Sequence, residues 1–476
     1  MVYMKFYDRE QELREMKLLK KKQPSMLVIT GRRRVGKTEI IKRFLAKEKG
    51  IYFFVDNQKS EKMLLREYSK QLLEYFNLKE YISIDSWEKF LELIFDLAKK
   101  KDTTIAFDEF QRFLQINPSF INQLQKYWDV HRNKIKLFLV LSGSSIGMMR
   151  KIFIEQKAPL FKRAQNILFV EIFDFKTIYS ILNDLGVTSF KTKLEIYSFF
   201  GGVIYYYTLL DYYNVKNTDD LLEKLILRKN APLKNEVRDI VIESFGKEHK
   251  TYYSILTAVA LGKTTKKEIC DFVDVKETSL SHYLYDLMNI LNVVNYDVPV
   301  TEEKPWRSKK GHYFLKDNFF KFWFKFIFRN MSYYEIGNYD YILEKIKIEL
   351  NSFVGKNFEE VCKEFLVELN KQKKLPFVFS KIGNWLDRKG NEIDLVALSD
   401  RHEILFAECK WQDKKVGLKE LFRLKEKAKQ VQWHGKYRKE YFALFSKAGF
   451  ERNCLSYCKK NKVMAFDLKH LNKVFS

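Results

Sequence analysis

The chain has 476 residues, 46% of them hydrophobic, which is too long for one core and ample for three or four. Lys and Arg number 86 against 61 Asp and Glu, a formal charge of +25 that attracts polyanions and makes nucleic acid the leading partner, although an AT-rich genome or a thermophilic host also produces so Lys- and aromatic-rich a composition. The N-terminus is charged from its fifth residue and no apolar run reaches the ~20 residues of a membrane span, so a cytoplasmic protein with no membrane partner is expected.

In chain order, residues 1–175 alternate short apolar runs with longer amphipathic stretches, the pattern of a parallel sheet wrapped by helices. Strands are expected at 26–30, 51–55, 103–107, 136–141 and 168–172. Residues 176–247 read as helical throughout, a lid. Residues 248–335 carry three helix-length segments and a short strand pair, and residues 336–476 return to strands flanked by helices. The expected fold class is therefore α/β, a parallel sheet with a helical lid followed by a mostly helical segment and a second α/β segment. No internal repeat and no Pro-, Gly- or Ser-rich linker marks the boundaries. The five cysteines are odd in number and scattered, with only Cys454 and Cys458 close together, so reduced, buried thiols are expected rather than disulfides or a zinc site.

Gly31, Arg32, Arg33, Arg34, Val35, Gly36, Lys37 and Thr38 fit G-x-x-x-x-G-K-[ST] between an apolar strand and a helix at 39–47. In that context the glycines let backbone N–H groups curl round an anion at a helix N-terminus; Lys37 is expected on the β and γ phosphates of ATP and Thr38 on Mg2+. The strand 103–107 ends in Asp108 and Glu109, carboxylates suited to the metal's outer ligands and to orienting an attacking water. The following strand ends in Ser142-Gly143-Ser144-Ser145, where a hydroxyl able to sense the γ-phosphate and a plain Ser/Gly turn are equally consistent readings. Arg163, before the fifth strand, is the candidate arginine finger or sensor.

Phe6 to Glu10 with Glu12 and Leu13, the phosphate loop, Asp108-Glu109-Phe110, Ser142 to Ser145, Arg163 and Gly201-Gly202-Val203 together resemble the archaeal ATPase family, part of the P-loop class shared by origin-recognition and STAND-type ATPases. The resemblance covers roughly residues 1–245. It implies that Phe6 to Glu10, Arg9 included, lies near the adenine, and that the Gly201-Gly202 turn begins the lid. Arg163 lacks the glycine that usually precedes it, and Ile204 stands where the family usually has proline. A finger acting in trans would require a homo-oligomer.

Helices are expected at 252–261, 265–272 with a Thr cap, and 277–291, the last two joined by a short turn as in a helix-turn-helix. Thr278, Ser279, Ser281 and His282 would open the recognition helix. Strands at 292–297 and 312–315, with Arg307, Ser308, Lys309 and Lys310 between them, read as a wing that sets cations beside a phosphate backbone, although such domains also serve as protein-packing modules. The stretch FFKFWFKFIF at 319–328 is expected to be a buried packing helix.

Further on, Asp394 lies in the run 392–396, and Glu408-Cys409-Lys410 close the run 404–411. Residues two apart on a strand share a face, so Glu408 and Lys410 project together, and Asp394 joins them if the two strands pair. Two carboxylates on one spot bind a hard divalent ion, Mg2+ or Mn2+, beside a lysine able to position or deprotonate water; Glu359 or Glu360 on the preceding helix would complete the ligand set. The arrangement resembles the PD-(D/E)xK nuclease fold, with a helix at 417–430 and strands at 441–445 and 463–466. Taken together the motifs and resemblances imply an α/β chain with a P-loop NTPase parallel sheet and helical lid, then a winged-helix domain, then a restriction-endonuclease-like α/β domain: an ATP-hydrolysing, DNA-binding protein with a metal-dependent endonuclease domain acting on structured or branched DNA. The alternatives are an ATP-dependent regulatory switch that binds without cutting, and a chaperone-like ATPase without a nucleic acid partner.

Overall fold

The computed structural model describes residues 5–78, 83–308, 310–387 and 390–476, without the side chains of Trp306 and Lys436. Among these residues the contacts divide the chain into two compact units, one of Lys5–Ile172 with Asn289–Leu291, the other of Phe173–Met288 with Asn292–Ser476.

The first unit is built on strands β1 (Ser25–Thr30), β2 (Ile51–Phe54), β3 (Thr103–Asp108), β4 (Leu137–Gly143) and β5 (Asn166–Phe169), all parallel in the order β2-β3-β4-β1-β5. Every residue of β1, β3 and β4 is buried, as expected of central strands covered on both faces. One face is filled by aromatics, with Phe53, Phe90, Phe107, Phe113, Phe120 and Trp87 in mutual ring contact. The other is aliphatic, with Ile29, Ile40 and Ile41 around Phe44 and Phe138. Four strands lie where the apolar runs put them, to within two residues at each end. The fifth is displaced: it pairs from Asn166 to Phe169, not from 168 to 172. Apolarity continues past Phe169, but there the chain turns across the start of the phosphate loop, so Ile172 is buried partly by packing instead of by strand pairing.

The second unit begins with helices Phe175–Asp184, Phe190–Phe200 and Ile204–Tyr212, and among its described residues no strand occurs before Val294. Phe173 N donates to Gly202 O (2.9 Å), so the Gly201-Gly202 turn closes on the segment leading into the first of these helices. Helix His249–Ala260 then precedes α2 (Lys266–Val273) and α3 (Glu277–Asn289). Thr265 caps α2 in a reciprocal box with Glu268, and Asp274 takes a left-handed conformation (φ 52°) that ends it. β6 (Val294–Asp297) and β7 (His312–Leu315) form an antiparallel hairpin. Of the residues between them, Lys309 lies outside the described residues. Val300 N donates to Asn384 O (3.0 Å), which ties the connection to the next sheet. Phe319, Phe320, Phe322, Trp323, Phe324, Phe326 and Ile327 are all buried, against Phe199, Phe200 and Phe353 among others, as the aromatic run predicts.

A 33-residue helix, α4 (Tyr339–Lys371), leads into the second sheet, which holds β8 (Lys381–Leu386), β9 (Glu392–Leu398), β10 (Glu403–Lys410), β11 (Lys439–Ser446) and β12 (Met464–Asp467) in the order β12-β11-β10-β9-β8. β8, β9 and β10 pair antiparallel; β10, β11 and β12 pair parallel, with α5 (Leu418–Gln430) as the crossover between β10 and β11. β8 was not legible in the sequence because Gly383 and Asn384 interrupt its apolar alternation, and its pairing is irregular there. Cys362, Cys409, Cys454 and Cys458 are buried free thiols and Cys270 is half-buried and free. No helix among the described residues is long and apolar enough to cross a membrane.

Candidate functional site

The phosphate loop connects β1 to α1 (Lys37–Glu48). A Cβ on Gly31 would overlap the Val170 carbonyl, where Val170 N donates to Thr30 O (2.7 Å), so only glycine lets the loop pass under the end of β5. Gly36 is left-handed (φ 93°) and immediately precedes α1, turning the loop's backbone onto the helix N-terminus. Arg9 ties the loop from outside: its guanidinium donates to Glu171 O (2.7 Å) and Val35 O (3.4 Å) and pairs with Glu12 (3.0 Å).

Lys37 is buried and its Nζ donates to Gly31 O and Arg32 O, both at 2.8 Å. Burial pulls its pKa down to about 8, against the pull of Glu109 and Asp108, the two carboxylates facing it. Burial likewise lowers that of Arg33, partly offset by Glu109. Thr38 Oγ1 donates to Asp108 Oδ2 (2.6 Å), and the same oxygen accepts from Tyr52 OH (2.9 Å); burial, and then Asp108, push the Tyr52 phenol far above its usual range. The loop and the end of β3 therefore meet as the sequence implies. Glu109 is left-handed (φ 57°), and its Oε2 accepts from Ser144 Oγ (2.7 Å) and Gln111 Nε2 (2.6 Å). Of the three serines left equivalent in the sequence, Ser144 is thus the one on the carboxylate. Ser145 caps the helix Ile146–Phe153 through Met148 N, and Ser142 is buried within β4. Neither residue type marks Tyr52 or Gln111 in the sequence: strand order brings Tyr52 of β2 beside Asp108, and the left-handed turn at Glu109 folds Gln111, two residues on, back to its carboxylate.

Arg163 stands apart from this group. Its Nε and Nη2 form a two-pronged pair with Asp129 (2.6 to 3.1 Å), and Nη1 donates to Pro159 O and Phe161 O. None of these partners belongs to the phosphate loop or to β3.

The second constellation lies on the C-terminal sheet. β9 and β10 do pair, Leu395 opposite Ala407, and Cys409 N donates to Asp394 Oδ2 (2.7 Å), so Asp394 and Glu408 are neighbours. Burial first, and then the charge of Glu408, push Asp394 up to about 6. Glu359 of α4, in place of Glu360, comes to the same spot: carboxylate oxygens of Glu359, Glu392 and Asp394 lie within 4.8 Å of one another. Burial and the charge of Asp394 raise Glu359 to about 8. Lys356, one turn earlier on α4, pairs with Glu359 (3.2 Å) and Glu392 (3.0 Å); burial opposes its charge, yet the two carboxylates hold its pKa above the usual lysine value. Glu408 is held on one side by Lys410 (2.6 Å) and on the other by Lys427 of α5 (3.2 Å). Glu392 was legible: it precedes Asp394 by two, so the alternation that joins Glu408 to Lys410 joins these as well. Lys427 carried no such signal, because which helix covers which strand is a matter of tertiary packing.

Two family models match the chain, an ATPase domain predominantly from Archaea over residues 6–210 and, over residues 323–431, a domain described as archaeal and bacterial proteins of unknown function. An uncharacterized protein of Methanocaldococcus jannaschii is 35% identical over 416 residues, 86% of this chain and 88% of that one. The chain belongs to the archaeal ATPase family. An uncharacterized ATP-binding protein of the same organism is 22% identical over 315 residues, 62% of this archaeal ATPase and 84% of its own length. Among solved structures, the Walker-type ATPase of Pyrococcus abyssi shares the fold at a TM-score of 0.51 and 18% identity, over 67% of this chain and 96% of that one. The phosphate-loop unit of the archaeal ATPase is thus an ATP-binding ATPase domain, and the carboxylate constellation, Glu359 and its helix included, lies within the second matched segment.

Proposed function

We propose that this archaeal ATPase hydrolyses ATP, binds DNA and cuts it at a metal-dependent site on its C-terminal sheet, acting on structured or branched DNA. The close approach of the Glu359, Glu392 and Asp394 carboxylates beside Glu408, Lys410 and Lys427 carries the reading. Like charges gathered in a half-buried site are costly unless something cationic is held there, and oxygen-only ligands suit Mg2+ or Mn2+. Bound there, such an ion supplies charge neutralisation at the phosphate under attack. Glu359, Glu392 and Asp394 would hold it, Glu408 would complete the set on release of one lysine, and Lys410 would position a water.

At the phosphate loop, Lys37 would take the β and γ phosphates, Thr38 and Asp108 the Mg2+ of ATP, Glu109 the attacking water, and Ser144 would report on the carboxylate's position. Arg163, if it serves as a finger, would do so after leaving Asp129. Glu109→Gln is expected to keep ATP affinity within a few-fold and to lower turnover by about 10² to 10⁴, measured as phosphate release against nucleotide binding. Lys37, with its pKa near 8, binds an anion only when protonated, so ATP affinity is expected to fall between about pH 7 and about pH 9, with a proton taken up on binding at the upper end. A flat profile by calorimetry would mean that Lys37 does not carry the charge recognised.

DNA binding is supported by the exposed Thr278, Ser279, Ser281 and His282 on α3, by exposed Arg307 and Lys310 beside the hairpin, and by the net charge of +25. The deciding experiment is cleavage of labelled duplex, single-stranded, flap and four-way junction DNA with Mg2+ or Mn2+ by wild type, Asp394→Ala and Lys410→Ala. Cutting that both substitutions abolish supports the nuclease. One observation favours a second reading, an ATP-dependent switch that binds without cutting: Glu408 is already neutralised by two lysines. Intact DNA binding with no cutting by wild type would select it.

A further inference from the structure

The helix α5 has a second face that the carboxylate site does not use. Leu421, Leu424 and Ala428 are buried against the sheet. Lys419, Arg423 and Lys427 recur every fourth residue along one side, each about 6 Å further along the axis. The row ends at the carboxylate site, because Lys427 is the residue that reaches Glu408. Lys419 and Arg423 are exposed and form no ion pair among the described residues, whereas Lys429 on the same helix is paired with Glu426 (2.7 Å). Of the two carboxylates beside the row, that pairing neutralises Glu426, and Glu420 accepts from Gly417 N (3.1 Å) at the start of the helix. Phe422 lies between the two unpaired cations, 45% exposed, and its ring is braced edge-on by Tyr457 (5.6 Å). Lys419, Phe422, Arg423, Glu426 and Lys427 line a groove of about 620 Å³.

We propose that α5 is a seat for a single-stranded stretch of nucleic acid leading to the carboxylate site: Lys419 and Arg423 take phosphates and Phe422 stacks on a base. Cations that track a backbone, interleaved with an aromatic face, are what an unpaired strand requires. A base inside a duplex is already stacked on both faces and cannot reach the ring, so this seat distinguishes frayed, flapped or displaced strands from blunt duplex. The inference rests on the nuclease reading of the same site and narrows its substrate to one with a single-stranded arm.

The test is fluorescence anisotropy with the full chain, in chelator, on a labelled thymidine oligonucleotide and on a blunt duplex. Phe422→Ala is expected to weaken oligonucleotide binding about tenfold, the loss of one base–aromatic stack, and to leave duplex binding unchanged; Phe422→Trp restores it. Lys419→Ala with Arg423→Ala is expected to reduce the slope of log affinity against log salt by about 1.4 on the oligonucleotide. Phe422 is on the surface, and an unchanged melting temperature confirms that the fold is retained. Oligonucleotide binding that is absent in wild type, or unaffected by Phe422→Ala, or lost equally for the duplex, overturns the seat. Asp394-dependent cutting in company with a silent Phe422→Ala sinks the seat and leaves the nuclease standing; a Phe422-dependent single-strand affinity without cutting sinks the nuclease and upholds the seat.

Discussion

Lys37→Ala is expected to lower ATP hydrolysis by about 10² to 10³, the cost of removing one preorganised donor from charge that develops in a transition state. The ammonium is buried and held by Gly31 O and Arg32 O, so it is positioned before any nucleotide arrives. Burial has already cost it part of its proton affinity, and a cation stripped of water interacts more strongly with a phosphate than one at the surface. The same burial predicts that the fold does not suffer. A desolvated lysine with a depressed pKa costs the fold stability at neutral pH, which offsets the hydrogen bonds it gives Gly31 O and Arg32 O, so the melting temperature without nucleotide is expected to stay close to that of wild type. Phosphate release and thermal melting on one preparation check both halves. Undiminished turnover would end the assignment of the phosphate loop, and lost turnover with a collapsed melting temperature would show only that the loop holds α1 in place.

The second large effect is at the other sheet. Asp394→Asn is expected to reduce metal-dependent cleavage by about a thousandfold, since it removes a charged ligand from a hard-ion site and with it several kcal/mol of charge stabilisation. Asparagine is the informative substitution because it keeps an oxygen to accept from Cys409 N, which alanine would leave as a buried unpaired donor at a cost of about 1–3 kcal/mol. Without metal, Asp394, Glu359 and Glu392 repel one another, and removing one charge relieves the other two. Asp394→Asn is therefore expected to melt at or above wild type in metal-free buffer and to lose the stabilisation that Mn2+ gives wild type. A wild-type protein that Mn2+ does not stabilise would mean that Lys356 alone balances the three carboxylates.

The elements that the sequence located well are those whose signal is local. β1, β3 and β4 are apolar or β-branched through their middles because both faces are covered, and such runs read the same with or without their neighbours. The Thr265–Glu268 box marks the start of α2 within four residues of chain. The apolar pattern sets β5 too late because Val170 and Ile172 serve packing beside the loop, which a hydrophobic pattern does not distinguish from strand pairing. β8 leaves no such local signal because Gly383 and Asn384 break its alternation, and its strand conformation comes from pairing with β9.

By itself the sequence determined the phosphate loop, its flanking strand and helix, and the carboxylates that end β3, because eight contiguous residues with glycines at two set places carry their own conformation. It also determined that Glu408 and Lys410 share a face, since the alternation of a strand is a property of one segment. Only the tertiary structure decided that Ser144 and not Ser142 or Ser145 meets Glu109, that Glu359 and not Glu360 meets Asp394, that Lys427 closes on Glu408, and that Arg163 is paired with Asp129. Each of those choices turns on which strand lies beside which and how a helix is rotated over the sheet. Rotation and strand order are settled by burying many side chains at once, and no single stretch of chain records that result.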